Sequence, residues 1–272
     1  MLSVLACAAY AQTFELPATV RQGGVLKIHG PAAAVAARME ERTIRLFPQA
    51  DGAPFGLLPI PADQKPGAYR VELLDAKNVT VASAGVTVAD AHFRKQNVTI
   101  EPSLTEMKPS PDESEMSAAF RKTVSDVRYW AEPLGAPVRG CMTSPYGVQR
   151  YLNGKATGDI HGGLDLRAAA GTPVRAAAAG VVKLAREWNL HGNTVGIDHG
   201  QGLETMYLHL SKFAAAEGAT VQKGDVIGYS GSTGRSNAPH LHWTVYVNGV
   251  SVNPLEWVKV ASCYPAKART KK

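Results

Sequence analysis

What most constrains this chain is how often its apolar stretches are interrupted. From Cys141 onward, "TPVRAAAAGVVKLAR", "NTVGIDHG", "ETMYLHL", "DVIGYSG" and "HLHWTVYVNG" are closed by glycine turns, and few long helices fit between them. Short alternating or apolar runs bounded by such turns read as strands. Residues 141–263 are therefore expected to form an antiparallel β-domain with loops over one face. Residues 17–100 have a related texture, with "VLKIHG", "TIRLFP", "FGLLPI", "AYRVELLD" and "VTVASAGVTVA" broken by Gly, Pro, Asp and Asn. Strands of this length and spacing predict an immunoglobulin-like β-sandwich over 12–100. The fold class is mainly β, and 272 residues with 45% apolar content suffice for two such cores.

The polar, proline-bearing "EPSLTEMKPS" opens a linker over 101–140. Within it, Ser110-Pro111-Asp112-Glu113 reads as a capping box with Pro at the first helical position. Met116, Phe120, Val124 and Val127 then share one face, which predicts a helix over about 111–130 that docks on a domain. "AEPLGAPVRG" (131–140) leads into the second domain.

At the start of the chain, the apolar run Leu2–Ala11 is too short to span a bilayer. It ends in Ala9-Tyr10-Ala11, the small-x-small pattern of a signal-peptidase site, which predicts a signal peptide over 1–11, export, and no transmembrane helix. The run has no Lys or Arg before it, and "VLAC" ending at Cys7 offers a lipoprotein alternative. Cys141 and Cys263 are then an even pair bracketing one segment. They form either a disulfide or two separate buried thiols, and an oxidising compartment favours the disulfide. A net charge of +6 suits an acidic polymer such as cell wall, nucleic acid or a membrane surface. With no RNA-binding aromatic motif and no zinc-finger spacing, no nucleic-acid partner is expected. "KARTKK" closes the chain as a basic tail, assigned to 264–272.

Six of the eight histidines lie between 161 and 242: His161, His191, His199, His209, His240 and His242. In "GDIHGGLDL", two glycines separate His161 from Asp165. On a helix those glycines would cost about 1 kcal/mol each; on a flat strand the two side chains would lie about 13 Å apart. Bringing them together needs a bend that Gly162-Gly163 can supply, and a shared metal ion would reward it. In "PHLHWTV", His240 and His242 share a strand face about 6–7 Å apart. From a regular strand both do not easily reach one zinc ion, so one can bind metal while the other faces substrate. "ETMYLHLS" sets Thr205, Tyr207 and His209 on one face and Met206 and Leu208 on the other, making His209 a third imidazole for the same site.

Other residues receive plainer readings. His199 is expected to fix its turn by a hydrogen bond, and Asp198 to be a strand-end carboxylate. His191 reads as a surface turn residue, with a place in the groove as the alternative. Tyr207 either orients His209 or packs. "TSPYGVQRYLNGKATGD" is expected to wall the substrate groove, with Tyr146 and Arg150 as candidates. "GSTGRSNAPH" delivers the HxH strand and lacks the Lys-Ser/Thr of a phosphate loop.

Residues 161–254 resemble the catalytic domain of the M23 metallopeptidases, the lysostaphin/LytM-like peptidoglycan endopeptidases. "HGGLDL", "AAGTPVRAAAAGVV", "GNTVGIDHGQG", "MYLHLS", "VQKGDVIGYSGSTGRSNAPHLHWTV" and "VNP" match that family's blocks in order, over a little more than a third of the chain. HxxxD, YxHL and HxH recurring together are specific where each alone is weak. The resemblance implies that His161, Asp165 and His242 hold Zn2+ with a fourth position open, and that His209 and His240 are catalytic non-ligands. It implies a monomeric, exported zinc endopeptidase of the periplasm or cell envelope, acting on peptidoglycan stem peptides or cross-links. D-alanyl–diaminopimelate cross-links are the default substrate and glycyl bridges the alternative. Two other readings compete: a regulator on a degenerate M23 domain that activates another hydrolase, and a wall-binding module with structural zinc. The presence of all five site residues argues against the first, and the lack of a clear fourth ligand against the second.

Overall fold

The structure, a computed structural model, describes residues 14–264. The expected signal peptide, Cys7 and all but the first residue of the expected tail lie outside the described residues. The chain divides into two compact units. Among the described residues, the first takes 14–21, 26–58 and 65–90, and the second 22–25, 59–64 and 91–264.

The first unit is built on β1 (Thr19–Arg21), β2 (Val25–His29), β3 (Ala36–Met39), β4 (Arg42–Arg45), β5 (Phe55–Pro59), β6 (Gly67–Leu74) and β7 (Thr80–Ala89). One sheet runs in the order β1-β7-β6-β3-β4, and β2 pairs with β5. Along β2, Leu26 and Ile28 are buried while Lys27 and His29 are exposed, the period-two pattern of a half-buried strand. Leu26, Ile28 and Leu57 from the small sheet and Ala37, Val71 and Leu73 from the large one are at most 1% exposed. The unit is the expected β-sandwich.

The second unit contains β8 (Lys95–Val98), β9 (Met142–Ser144), β10 (Gln149–Leu152), β11 (Lys155–Ile160), β12 (Leu164–Arg167), β13 (Pro173–Arg175), β14 (Gly180–Trp188), β15 (Gly192–Gly200), β16 (Leu203–Phe213), β17 (Thr220–Val221), β18 (Val226–Ser230), β19 (His240–Val247) and β20 (Val250–Val252). Its main sheet runs β17-β14-β15-β16-β19-β12-β9, with β13, β18 and β20 attached at its margins. The pairs along this path are antiparallel. Tight turns make that possible: between β19 and β20, Asn248 and Gly249 both take positive φ, as a two-residue hairpin turn requires. The core includes Trp243, Val245 and Val247 from β19 and Leu164 and Leu166 from β12, all fully buried.

Two segments depart from the sequence reading. Residues 95–98, read as the end of the sandwich, form β8 in the second unit and pair in parallel with β10. The linker helix is also shorter than expected. It runs only over α2 (Glu113–Arg121), after a single turn α1 (Pro102–Thr105). Phe120 inserts among Leu184, Trp188, Met206 and Leu208, with Met116 alongside, a burial worth about 2–3 kcal/mol for the phenyl ring. Beyond Lys122 come Thr123, Val124 and Ser125, which lose side-chain freedom in a helix or compete for its backbone. Val124 and Val127 are 42% and 54% exposed, so they form no packed face. The extended chain instead accepts the Gln201 N–H at Ser125 O and donates the Tyr129 N–H to His199 O, bonds that a continuing helix would forbid.

Cys141 and Cys263 form a disulfide that closes 122 residues. In the chain-entropy picture a loop of this length contributes about 5 kcal/mol by restricting the unfolded chain. Among the described residues, no helix is long and apolar enough to cross a membrane.

Candidate active site

Asp165 on β12 and His242 on β19 lie directly opposite each other in register, so their side chains leave the sheet on one face. His242 Nδ1 and Asp165 Oδ1 are 2.8 Å apart. His161 stands one tight bend upstream of β12, and its Nε2 lies 3.1 Å from both of those atoms. The glycines of the bend serve differently from expectation. Neither takes a positive φ. What matters is room: a Cβ on Gly163 would lie 2.4 Å from Trp243 O and 2.7 Å from Thr244 Oγ1. Gly163 thus lets the chain press against β19.

The three atoms are chemically suited to a cation. His161 donates its Nδ1–H to Pro145 O at 2.7 Å. Because a carbonyl only accepts, a neutral His161 ring turns its Nε2 lone pair toward the carboxylate oxygen, and two acceptors then face each other with no proton between them. A positive ion resolves that conflict. The separations of 2.8–3.1 Å are close to the edge of about 3.3 Å that a tetrahedron with 2.0–2.1 Å bonds would have. Among the described residues, His161, Asp165 and His242 form a group whose ligand atoms all lie within 4.8 Å of one another. Burial pushes His242 down to about 4. The second Asp165 oxygen is taken by Arg150 Nη2 at 2.6 Å, which leaves one oxygen facing the cluster.

His240 lies two residues before His242 on the same strand, with Nε2 3.8 Å from Asp165 Oδ1 and its Nδ1–H donated to Ala238 O. His209 arrives by a route that sequence alternation does not predict. Leu208 is paired with His242, and Met206 with Thr244, so Leu208 and Met206 lie on the site face. Thr205 and Tyr207 point into the opposite layer, where the Tyr207 hydroxyl accepts the Ala177 N–H and meets Thr205. Strict alternation would carry His209 away with them. Instead the β15–β16 register shifts at this point, and His209 takes a left-handed φ of 60°. A bulge of this kind re-aims a side chain. The His209 ring is thereby brought to 4.9 Å from His240 and 6.3 Å from His242, centroid to centroid. Its Nδ1–H is donated to Thr233 O at 2.8 Å, which leaves Nε2 free. Burial, then the charges of His240 and His242, push it down to about 3.

These side chains line an open groove of about 830 Å³, walled by Arg150, Thr157 and Asp159 on one side and Arg235, Ser236 and Asn237 on another. The segment at 143–159, read as a loop but folded largely as β9, β10 and β11, and the turn at 232–239 both contribute residues to the groove wall. Tyr146 does not join the site: it is buried and donates its hydroxyl to Ser251 O. His199 is buried, donates Nδ1–H to Ala179 O and meets Thr205 with Nε2; burial pushes it down to about 4. Asp198 is buried and accepts the Gly200 N–H.

His191, read as a surface residue, lines the groove, with its Nδ1 against the buried carboxylate of Glu113. Sequence reasoning missed Glu113 as well as Gln96, Val98, Ile100 and Leu104, which also line the groove or hold its wall. The one available signal for Glu113 was its place in the capping box, and it does accept the Ser110 N–H as that box requires. The Ser110 hydroxyl meanwhile accepts the Asn189 N–H.

Comparison with known proteins gives consistent matches. Residues 159–254 match peptidase family M23. Over 116 residues the chain is 47% identical to DD-carboxypeptidase/endopeptidase Mpg of Neisseria meningitidis serogroup B, covering 42% of this chain and 26% of that protein. It is 43% identical over 108 residues to peptidoglycan DD-endopeptidase ShyA of Vibrio cholerae, covering 39% of this chain and 25% of that protein. The chain thus matches about a quarter of the length of these curated relatives. A Pseudomonas aeruginosa protein whose crystal structure is described as that of an M23 peptidase is similar with a TM-score of 0.66 at 29% identity, covering 87% of this chain and 93% of that one.

Proposed function

Residues 159–254 form a domain of peptidase family M23, and from that premise we propose that this chain is a zinc metalloendopeptidase hydrolysing peptide bonds in peptidoglycan. The observation that carries the reading is the triangle of His161, Asp165 and His242, with two further imidazoles beside it. His161, Asp165 and His242 would hold the ion, beside the groove. A zinc ion held there supplies Lewis acidity, lowering the pKa of water toward 7 and polarising a carbonyl.

The other groups handle protons and orientation. His209 is kept neutral by its burial, and its Nε2 lone pair faces the groove because Nδ1–H is committed to Thr233. His240 presents its own Nε2 beside Asp165 for the same reason, its Nδ1–H being committed to Ala238. The two rings together can take a proton from attacking water and return one to the leaving amine, help typically worth about 10²–10⁴-fold. Arg150 engages the second Asp165 oxygen and so leaves one oxygen toward the cluster.

The substrate is the peptide part of peptidoglycan, with direct D-alanyl–diaminopimelate cross-links preferred over glycyl bridges. The DD-endopeptidase activity named for the Neisseria and Vibrio relatives supports this preference. Export to the periplasm or cell envelope fits the Cys141–Cys263 disulfide, since such bonds persist in oxidising compartments. The test is elemental analysis of the purified protein together with digestion of defined muropeptides read by mass. About one zinc per chain and cleavage within stem peptides or cross-links are expected. A zinc-loaded protein that leaves every such substrate intact defeats the reading.

A further inference from the structure

We propose that Glu113, on α2 and well ahead of the matched family region, is a positioning residue for this peptidase reaction. The inference rests on the reading above, with His209 as a catalytic group. Glu113 is 1% exposed. Its carboxylate accepts the Leu190 N–H at 3.1 Å and the His191 N–H at 2.8 Å through Oε1, and Oε2 accepts the Ser110 N–H at 2.8 Å. The His191 ring meets the same carboxylate through Nδ1. One residue earlier, the Asn189 N–H goes to the Ser110 hydroxyl. The N-terminal end of α2 therefore collects three consecutive backbone donors of the 189–191 turn.

The carbonyls of that turn serve the site. His191 O accepts the backbone N–H of His209 at 3.0 Å, and Leu190 O accepts that of Arg235 at 3.0 Å. These are the bonds that hold the irregular part of β16 and the turn leading to His240. Thr233, in that second turn, accepts the Asn193 N–H at its hydroxyl and the His209 ring N–H at its carbonyl. A residue with a left-handed φ in a strand holds that conformation only when its surroundings over-determine it. Here the surroundings are the two turns, and Glu113 is the buried anion that satisfies the outer side of one of them. A charged acceptor with several N–H donors is among the stronger hydrogen-bonding arrangements, and replacing it leaves those donors unmet in a buried place.

The experiment uses the full chain. Glu113→Gln keeps the size of the side chain and removes its charge. It is expected to retain about one zinc per chain and a KM within about threefold of the parent, while kcat falls by about ten- to a hundredfold, as for a misplaced catalytic group. Amide exchange measured by NMR should accelerate at His209 and Arg235 while the β14–β15 amides keep their protection, because the loss is local. Glu115→Gln, which makes the same change of charge at an exposed position of α2, is the control and should leave kcat per zinc unchanged. Should Glu113→Gln not accumulate as folded protein, Ser110→Ala decides the matter with a smaller but parallel change in His209 exchange.

Unchanged kcat per zinc in Glu113→Gln overturns the proposal. So does an equal loss of kcat in Glu115→Gln, or unchanged His209 exchange in the variant that folds. If the parent protein cuts no muropeptide, the functional reading fails, while the exchange measurement still decides whether Glu113 positions His209.

Discussion

Asp165 and His242 meet because two regular strands set them opposite each other, whereas His209 meets them because its strand is irregular. The first side of the groove needs little beyond β12, β19 and room at Gly163. The second needs a register shift, a left-handed residue, the 189–191 and 232–235 turns and the remote α2. Regular pairing suffices to gather ligands, whose attraction to an ion tolerates small errors. Proton transfer demands a ring aimed within a few tenths of an ångström, and the chain spends extra structure on it.

The contrast can be broken most severely on the ligand side. His242→Ala is expected to abolish bound zinc and turnover together and to lower the melting temperature, because metal binding and folding are coupled. Elemental analysis and a thermal scan check this; a fully metallated His242→Ala protein would reverse the ligand assignment. On the other side, His209→Ala and His240→Ala should keep zinc near one equivalent and lose about 10²–10⁴-fold in kcat on a defined muropeptide. If either comes out zinc-free, the division between the two sides fails there.

A truncation sharpens the comparison further. No candidate ligand or base precedes residue 141, which would allow a minimal chain of 131–272. The structure places Glu113, Phe120 and β8 outside that piece. A 131–272 chain should therefore turn over at least about tenfold more slowly per zinc than 91–272, as measured by steady-state kinetics at matched metal content. Equal rates would show that α2 is dispensable.

The smallest effect concerns Glu204, on the same strand as His209. It is fully buried, and both carboxylate oxygens lack a partner among the described residues. Burial and the nearby Asp198 raise its pKa well above the usual value. The folded state therefore keeps a proton that the unfolded chain releases above about pH 4.5. That contribution to stability is complete below the unfolded pKa and is lost as pH rises through the folded one. Glu204→Gln should match the parent near about pH 4 and melt higher at about pH 9, by a margin that grows with pH. A constant difference across that range would mean that Glu204 does not titrate in this way.

Much of the site was legible in residues that are close in sequence or set by strand period. His161 and Asp165 are four apart, and His240 and His242 share a face of one strand, so local geometry drew these four toward one site, while the choice of His242 over His240 as a candidate ligand came from the family resemblance. Cys141 and Cys263 could be paired because they were the two cysteines left beyond the expected signal peptide. Alternation failed at His209, since Tyr207 and His209 were set on one face while the bulge separates them. Sequence reading gave His191 a place in the groove only as the alternative and missed Glu113, because a carboxylate in a capping box looks the same whether it caps only its helix or also holds a turn 78 residues away.

The sequence by itself determined that this chain is mainly β and that its candidate site residues lie between His161 and His242. Those features depend on period, spacing and motif order, which are properties of the local chain. Only the tertiary structure decided which way His209 points, that β8 and α2 belong to the second unit, and that Gly163 serves by its smallness. Each of these depends on what a distant segment brings into contact, and hydrogen bonds between residues far apart in the chain leave no periodic mark on either one.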